Sequence, residues 1–465
     1  MKKTAFLGIV AVLALEAGCM MGPKYKRPTV DVPQEYRAPA PQQATQASSL
    51  GNEQWWQVYQ DPVLTELIHT AIAQNYDVRI AAARVLEAQA QVGVTRANQF
   101  PSANVGVDIF SQQNAKVTNL FPAYQVNGGE LNVSVIWNLD FWGKYRRQTQ
   151  AARAQLLATE WGRRAVISSL VANVATAYFQ LRALDIELEI SNRSLGSRQQ
   201  SLQLTHVLES HGSGSGLDVS QAEQLVYTAS ETIPDLERQI QQQGNVLSIL
   251  LGQNPQTIPR GRALTEQPVP QNVPAGLPSE LLERRPDVRQ AEQIMVAANA
   301  QIGVAKASFF PTLSLTGLGG LQSNALHQFI TAPSETWYAA FNVSQPVFQG
   351  GALRSQLRLS RANWQEAVFS YQQTVQDAFE QVSNSLIASQ KDREFREQQE
   401  LLTQAAQQTD QLSEVLYKNG GASYLQVLTS ETNYFSAELN LVQAQLNERL
   451  ALVQLYQALG GGWQQ

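Results

Sequence analysis

The chain has 465 residues, of which 16% are charged, with a net charge of −5 and a pI near 5.6. That length allows two or three domains of ordinary size, and the mild acidity, without a basic patch or an RNA-reading motif, excludes nucleic acid as a natural partner. One cysteine and four scattered histidines exclude an internal disulfide and argue against a metal centre or a metal-dependent enzyme.

Taken from the start, Lys2-Lys3 and the apolar run Ala5 to Leu15 read as an export signal too short to span a bilayer. The run ends at Leu15-Glu16-Ala17-Gly18-Cys19, which predicts a lipoprotein signal peptide over 1–18, cleavage before Cys19 and a palmitate-type lipid on its thiol. Glu16 stands where such a site prefers an apolar residue; an ordinary secretory signal with an incidental thiol is the other reading. Residues 19–60 are rich in Pro, Gln and Ala and predict an extended strap without a core of its own.

From Asp61-Pro62 the pattern is helical through Gln99, and Pro101 ends it. Alternation then predicts four strands, about 102–112, 129–141, 311–321 and 336–347, each long enough to cross a bilayer when tilted. Apolar residues alternate with polar ones and aromatics lie near the strand ends (Phe110, Trp137, Phe141, Trp142, Trp337), as in a barrel with lipid outside and water inside. A soluble sheet alternates in the same way, but the export signal and the neighbouring helices favour the barrel. Four strands cannot close one, because open edges in lipid leave backbone groups unpaired, so further copies of the chain are expected to complete it.

Ile167, Val174, Leu181, Leu188, Leu195 and Leu202 recur at heptad spacing and predict a long coiled-coil hairpin that turns at 211–216. Gln253 to Pro286 carries seven prolines and predicts an extended connecting strap. The chain then repeats itself. Of the 25 positions from Asp77 to Pro101, 12 are identical in Asp287 to Pro311, 210 residues on. The expected units are thus a first repeat over 61–252 and a second over 287–460, with a tail over 461–465. The second hairpin runs through Leu401, Ala405, Leu412 and Val415, turns at 418–424, and returns through Leu425, Leu428, Phe435, Leu439 and Val442. The fold class expected is mainly α, with duplicated antiparallel coiled-coil hairpins building an α-barrel and four strands per chain in a shared membrane β-barrel.

Gly22-Pro23-Lys24-Tyr25 with Pro28, Trp55-Trp56 before Asp61-Pro62, Ala83-Arg84-Val85, and Leu277-Pro278-Ser279 with Arg284-Arg285-Pro286-Asp287 closely resemble the outer membrane factor family. These are TolC-like exit ducts of tripartite efflux pumps, here in the lipoprotein (NodT-type) branch, and the resemblance covers nearly all of the mature chain. It implies a homotrimer anchored by lipid in the outer membrane. It also implies a periplasmic helical tunnel, a periplasmic adaptor and an inner-membrane transporter of the RND type, with no cofactor and no catalysis. An outer-membrane channel for type I protein secretion, or a periplasmic coiled-coil scaffold, are the competing readings.

In the family the tunnel closes at the second hairpin tip. Tyr417 and Gly420 match that motif, and Leu425 stands at an apolar constriction. Gln426 and Thr429 replace pore-lining aspartates, Ala422 replaces the gate arginine, and Thr432 stands where related lipoproteins carry arginine. The resemblance implies a gate formed by Tyr417, Leu425, Gln426, Thr429 and Thr432. Gly212, Gly214, Gly216, Gly420 and Gly421 are expected at tips that meet the adaptor.

Overall fold

A computed structural model describes residues 20–37, 49–113, 125–267, 276–324 and 329–463. The expected signal peptide, Cys19 and part of the expected proline strap lie outside the described residues. The helices are α1 (Trp55–Tyr59), α2 (Pro62–Gln74), α3 (Tyr76–Ala97), α4 (Lys144–Ser210), α5 (Gly216–Leu250), α6 (Pro278–Arg284), α7 (Pro286–Ala307), α8 (Ala352–Lys418) and α9 (Tyr424–Ala458). The strands are β1 (Ser102–Gln113), β2 (Gln125–Leu139), β3 (Thr312–Ser323) and β4 (Glu335–Ser344). Both α4 and α8 are 67 residues long, and α5 and α9 are each 35, so the duplication extends to element length.

Two compact units divide the chain, and each draws on both repeats. The first comprises Met1–Thr29, Arg84–Glu160 and Gln290–Gln372. It holds one antiparallel sheet in the order β1-β2-β3-β4. The register sorts the side chains. Val105 pairs with Val133, Val133 with Gly319 and Gly319 with Trp337, while Val107 pairs with Leu131 and Leu131 with Leu321. Directly paired residues share a face. One face therefore carries Val105, Val107, Ile109, Trp137, Leu315 and Phe341, and the other carries Asn104, Asp108, Asn132, Ser134, Thr316 and Asn342. Among the described residues much of the apolar face stays open: Val107 is 64% exposed and Trp337 81%.

In the same unit the N-terminal segment is pinned by specific bonds. Met21 N donates to Trp142 O at 3.1 Å, and Arg147 Nε donates to Met21 O at 3.0 Å. Arg27 forms an ion pair with Glu292 at 2.6 Å, and Tyr25 OH donates to the same carboxylate. Gly22, at φ 103°, passes Gly303 of α7 so closely that a Cβ on Gly22 would lie 2.5 Å from the Gly303 Cα.

The second unit comprises Val30–Ala83, Trp161–Arg289 and Gln373–Gln465. Its core holds Trp55, Leu64, Ile68, Tyr178, Leu181, Leu247, Ile258, Leu264, Leu281 and Tyr456, all fully buried. Both straps thus contribute more than their composition predicts. Trp55 and Tyr59 of α1 are buried, and so are Ile258, Leu264 and Leu281 of the connecting segment. The expected continuous helix from Asp61 to Gln99 is also interrupted. Asn75 ends α2 and caps α3 by accepting from Asp77 N at 2.8 Å, while its Nδ2 donates to Leu250 O.

The hairpin seams depart from the heptad reading. Ile167, Val174 and Leu181 are buried as expected, but Leu401, Leu412 and Val415 of α8 are 58%, 63% and 55% exposed. Beyond Leu386 toward the tip, the side chains buried on that helix are Gln399, Thr403 and Ser413. Thr403 and Gln399 satisfy their polar atoms on Ala437 O of α9, which removes the cost of placing them inside. Among the described residues, no helix is long and apolar enough to cross a membrane.

Candidate functional site

Two turns of the same construction close the hairpins. At the first, Gly212 takes φ 75°, Ser213 N and Gly214 N return to Leu208 O, and Ser215 caps α5 in a reciprocal bond pair with Asp218. At the second, Gly420 takes φ 74° and Gly421 N returns to Leu416 O at 2.8 Å. Ser423 N then donates to Gln426 Oε1 at 3.3 Å. A Cβ on Gly212 or Gly420 would meet nothing, so left-handed φ alone requires glycine there. Gly216 opens α5, and a Cβ on Gly214 would crowd Glu209 N at 3.0 Å.

The gate residues named from sequence fall into three groups. Leu425, Thr429 and Thr432 share one face of α9, four and three residues apart, and Leu425 is 58% exposed. Thr429 and Thr432 donate their hydroxyls back to Leu425 O and Leu428 O, both at 2.8 Å. Gln426 belongs to the cap. Tyr417 turns to the opposite side, its ring 5.4 Å from that of Tyr424. There Tyr424, Val427 and Ala222 are buried, with Leu202, Tyr417 and Leu428 packed around them. Burial raises both tyrosine hydroxyls above their ordinary pKa. A pocket of about 250 Å³ beside this cluster is lined by Ser197, Gln200, Glu414, Tyr417, Lys418 and Tyr424, among others.

Sequence reasoning missed a polar seam just below the tip. The buried stripe of α9 is Tyr424, Val427, Ser430 and Glu431, with Leu428 half-buried beside it and Leu425 exposed. Ser430 lies within hydrogen-bonding reach of Ser413 and donates to Asp410 Oδ1 at 3.3 Å. Arg198 of α4 donates to Leu225 O at 3.0 Å, and Ser197 donates to Glu431 Oε1 at 3.4 Å. The three-four spacing of this stripe was present in the sequence, but the serine and glutamate in it masked it from a search for apolar positions.

A family model, outer membrane efflux protein, matches residues 67–253 and 277–461, one match in each half of the repeat. The chain belongs to this family. It is an outer-membrane exit duct of an efflux system, mainly helical with a strand part, like the TolC-like channels it superposes on. The toluene efflux pump outer membrane protein TtgC of Pseudomonas putida is 33% identical over 99% of this chain and 96% of its own length. The cation efflux system protein CusC of Escherichia coli O6:H1 is 32% identical over 100% of both chains. The solved structure of the outer-membrane channel OprN matches with a TM-score of 0.88 at 29% identity, covering 96% of this chain and 100% of its own.

Proposed function

We propose that this chain works as a lipid-anchored homotrimer whose three copies complete one membrane barrel. In this reading it passively conducts cargo handed over by an inner-membrane transporter of the RND type through a periplasmic adaptor. One observation carries the proposal: a sheet with a continuous apolar face and two unpaired edges, in a chain belonging to a family of outer-membrane efflux proteins. In hydrocarbon every unpaired backbone group costs several kcal/mol, so the edges of β1 and β4 must find partners. A second and third copy supply them, and acylation of Cys19 would hold each N-terminus at the membrane.

The duct carries no chemistry of its own; it lowers the barrier to export by keeping a water-filled path open. The names of the relatives, one for toluene and one for cations, fit a duct that takes what its pump delivers. We assign the periplasmic closure to the second hairpin tip. Leu425, Thr429 and Thr432 present one open face there, while Tyr417 and Gln426 brace the turn behind it. The glycine turns at Gly212, Gly214, Gly216, Gly420 and Gly421 are assigned to the adaptor contact.

Single-channel conductance of the detergent-extracted protein in a planar bilayer tests this, beside a Leu425→Ala/Tyr417→Phe double variant. A small wild-type conductance that rises in the variant supports a gate at the tip. A large wild-type conductance keeps the duct and removes the gate, and no conductance from folded, inserted protein removes both.

A further inference from the structure

Glu431 and Arg198 are 6% and 2% exposed and come from α9 and α4, yet no hydrogen bond joins them. Arg198 is held elsewhere: Nη1 donates to Leu225 O, and the guanidinium lies 5.0 Å from the centre of the Phe435 ring. Its Nε is buried without a partner, and so is Glu431 Oε2. The one contact left to the glutamate is the 3.4 Å bond from Ser197. An ionised carboxylate placed this way would be a buried charge with half its acceptors empty, whereas a neutral carboxyl has no charge to desolvate.

The surroundings do not reverse this. From α8 come Asp410, Glu414 (paired with Lys418 at 3.0 Å) and Tyr417. From α9 itself come Tyr424, Tyr434 and Glu438, the last paired with Arg193 of α4, and from α5 comes Asp218. Burial outweighs the attraction of Arg198, with Asp410 and Glu414 adding to it, and pushes the Glu431 carboxyl up to about 7. Ser197, which donates to Glu431, also lines the pocket at the tip.

We propose that Glu431 is a proton-operated latch between the second hairpin and α4. Neutral, it lets α9 stay seated as observed; ionised, it drives α9 toward a packing in which the carboxylate meets Arg198 Nε or water. This inference rests on the reading of the second tip as the closure and adds the condition that releases it. A carboxyl that holds its proton more tightly in the seated packing than in water makes that packing acid-favoured. The preference is full below 4.5 and is lost as pH rises through about 7.

The test uses the full-length protein in planar bilayers at about pH 5 and about pH 8, as wild type and as Glu431→Gln. The wild type should conduct at least roughly threefold better at the higher pH, well within what one shifted proton can move between two states. The Gln variant should stay at the acid level throughout. A wild type indifferent to pH, or a Gln variant with the wild-type response, overturns the latch and leaves the duct standing. Spin labels on a Gln199→Cys/Ala422→Cys pair decide the matter even for protein that does not conduct. Widening at high pH in the wild-type background alone supports the latch, and any other pattern overturns it; failure to conduct bears only on the duct.

Discussion

Asp61 shows how much one side chain can organise. Its Oδ1 accepts from Val63 N at 2.8 Å and Leu64 N at 3.2 Å, capping α2. Its Oδ2 accepts from Tyr178 OH at 3.0 Å, Arg262 N at 3.1 Å and Gln267 Nε2 at 2.7 Å. One carboxylate thereby ties the connecting strap to α2 and α4, with no exposure to water. Asp61→Ala would orphan buried donors and should cost about 3–5 kcal/mol, whereas Tyr178→Phe, losing the bond to Asp61 and the one accepted from Gly261 N at 2.9 Å, should cost less, about 1–3 kcal/mol. Thermal unfolding followed by circular dichroism would rank the two. Glu431 gives a prediction of the opposite sign. Its carboxyl is raised from 4.5 to about 7, so the wild type loses stability as pH climbs across that window. Glu431→Gln should match the wild type in acid and exceed it by up to about 3 kcal/mol above pH 7. An equal melting point for the two proteins at alkaline pH would count against this.

Among the elements, the pinned N-terminal segment is held by shape as much as by charge. A Cβ on Gly303 would lie 2.8 Å from Met21 O and 2.9 Å from Arg147 Cδ. Gly303→Val should therefore lift residues 20–27 from α7 and open Lys24 and Lys26 to trypsin, while the wild type resists; equal cleavage rates would show that the contact does not hold the segment. The repeat made Gly303 visible in the sequence as the counterpart of Gly93, but not its purpose. A Cβ on Gly93 would meet nothing within 4 Å, so only the copy facing the N-terminus uses the missing side chain. The same limit applies elsewhere. Strands were legible because period two survives in any context. Hairpins were legible because helical apolar spacing runs on either side of glycine turns, although the heptad reading placed part of the second seam wrongly. The burial of Trp55, Ile258 and Leu264 was not, since composition described the straps and their docking partners lie far along the chain. At the tip, Tyr417 and Gly420 were legible from a motif. Arg198 and Glu431 were not, because their meaning arises only where two hairpins meet.

For the whole molecule, the question is what covers the apolar surface that one chain leaves open. On the sheet, Val107 and Trp337 face outward beside unpaired edges, and lipid suits them; Val107→Arg should cost about 2–4 kcal/mol if it reaches mid-bilayer. Lipid cannot be the answer for α8. Its Leu401, Leu412 and Val415, eleven and three residues apart, share one face of a helix not apolar enough to cross a membrane, each more than half exposed. A stripe of this kind is the seam of a coiled coil, and its natural partner is another helix of another copy. Leu412→Glu would place a charge in that seam at a side chain 63% exposed in its own chain. Folded monomer would then survive, and assembly would fail. Light scattering of the detergent-solubilised variant should shift from three copies toward one, with helicity by circular dichroism unchanged. If the variant instead remains trimeric, the stripe faces water or an adaptor, and the barrel edges alone must hold the copies together.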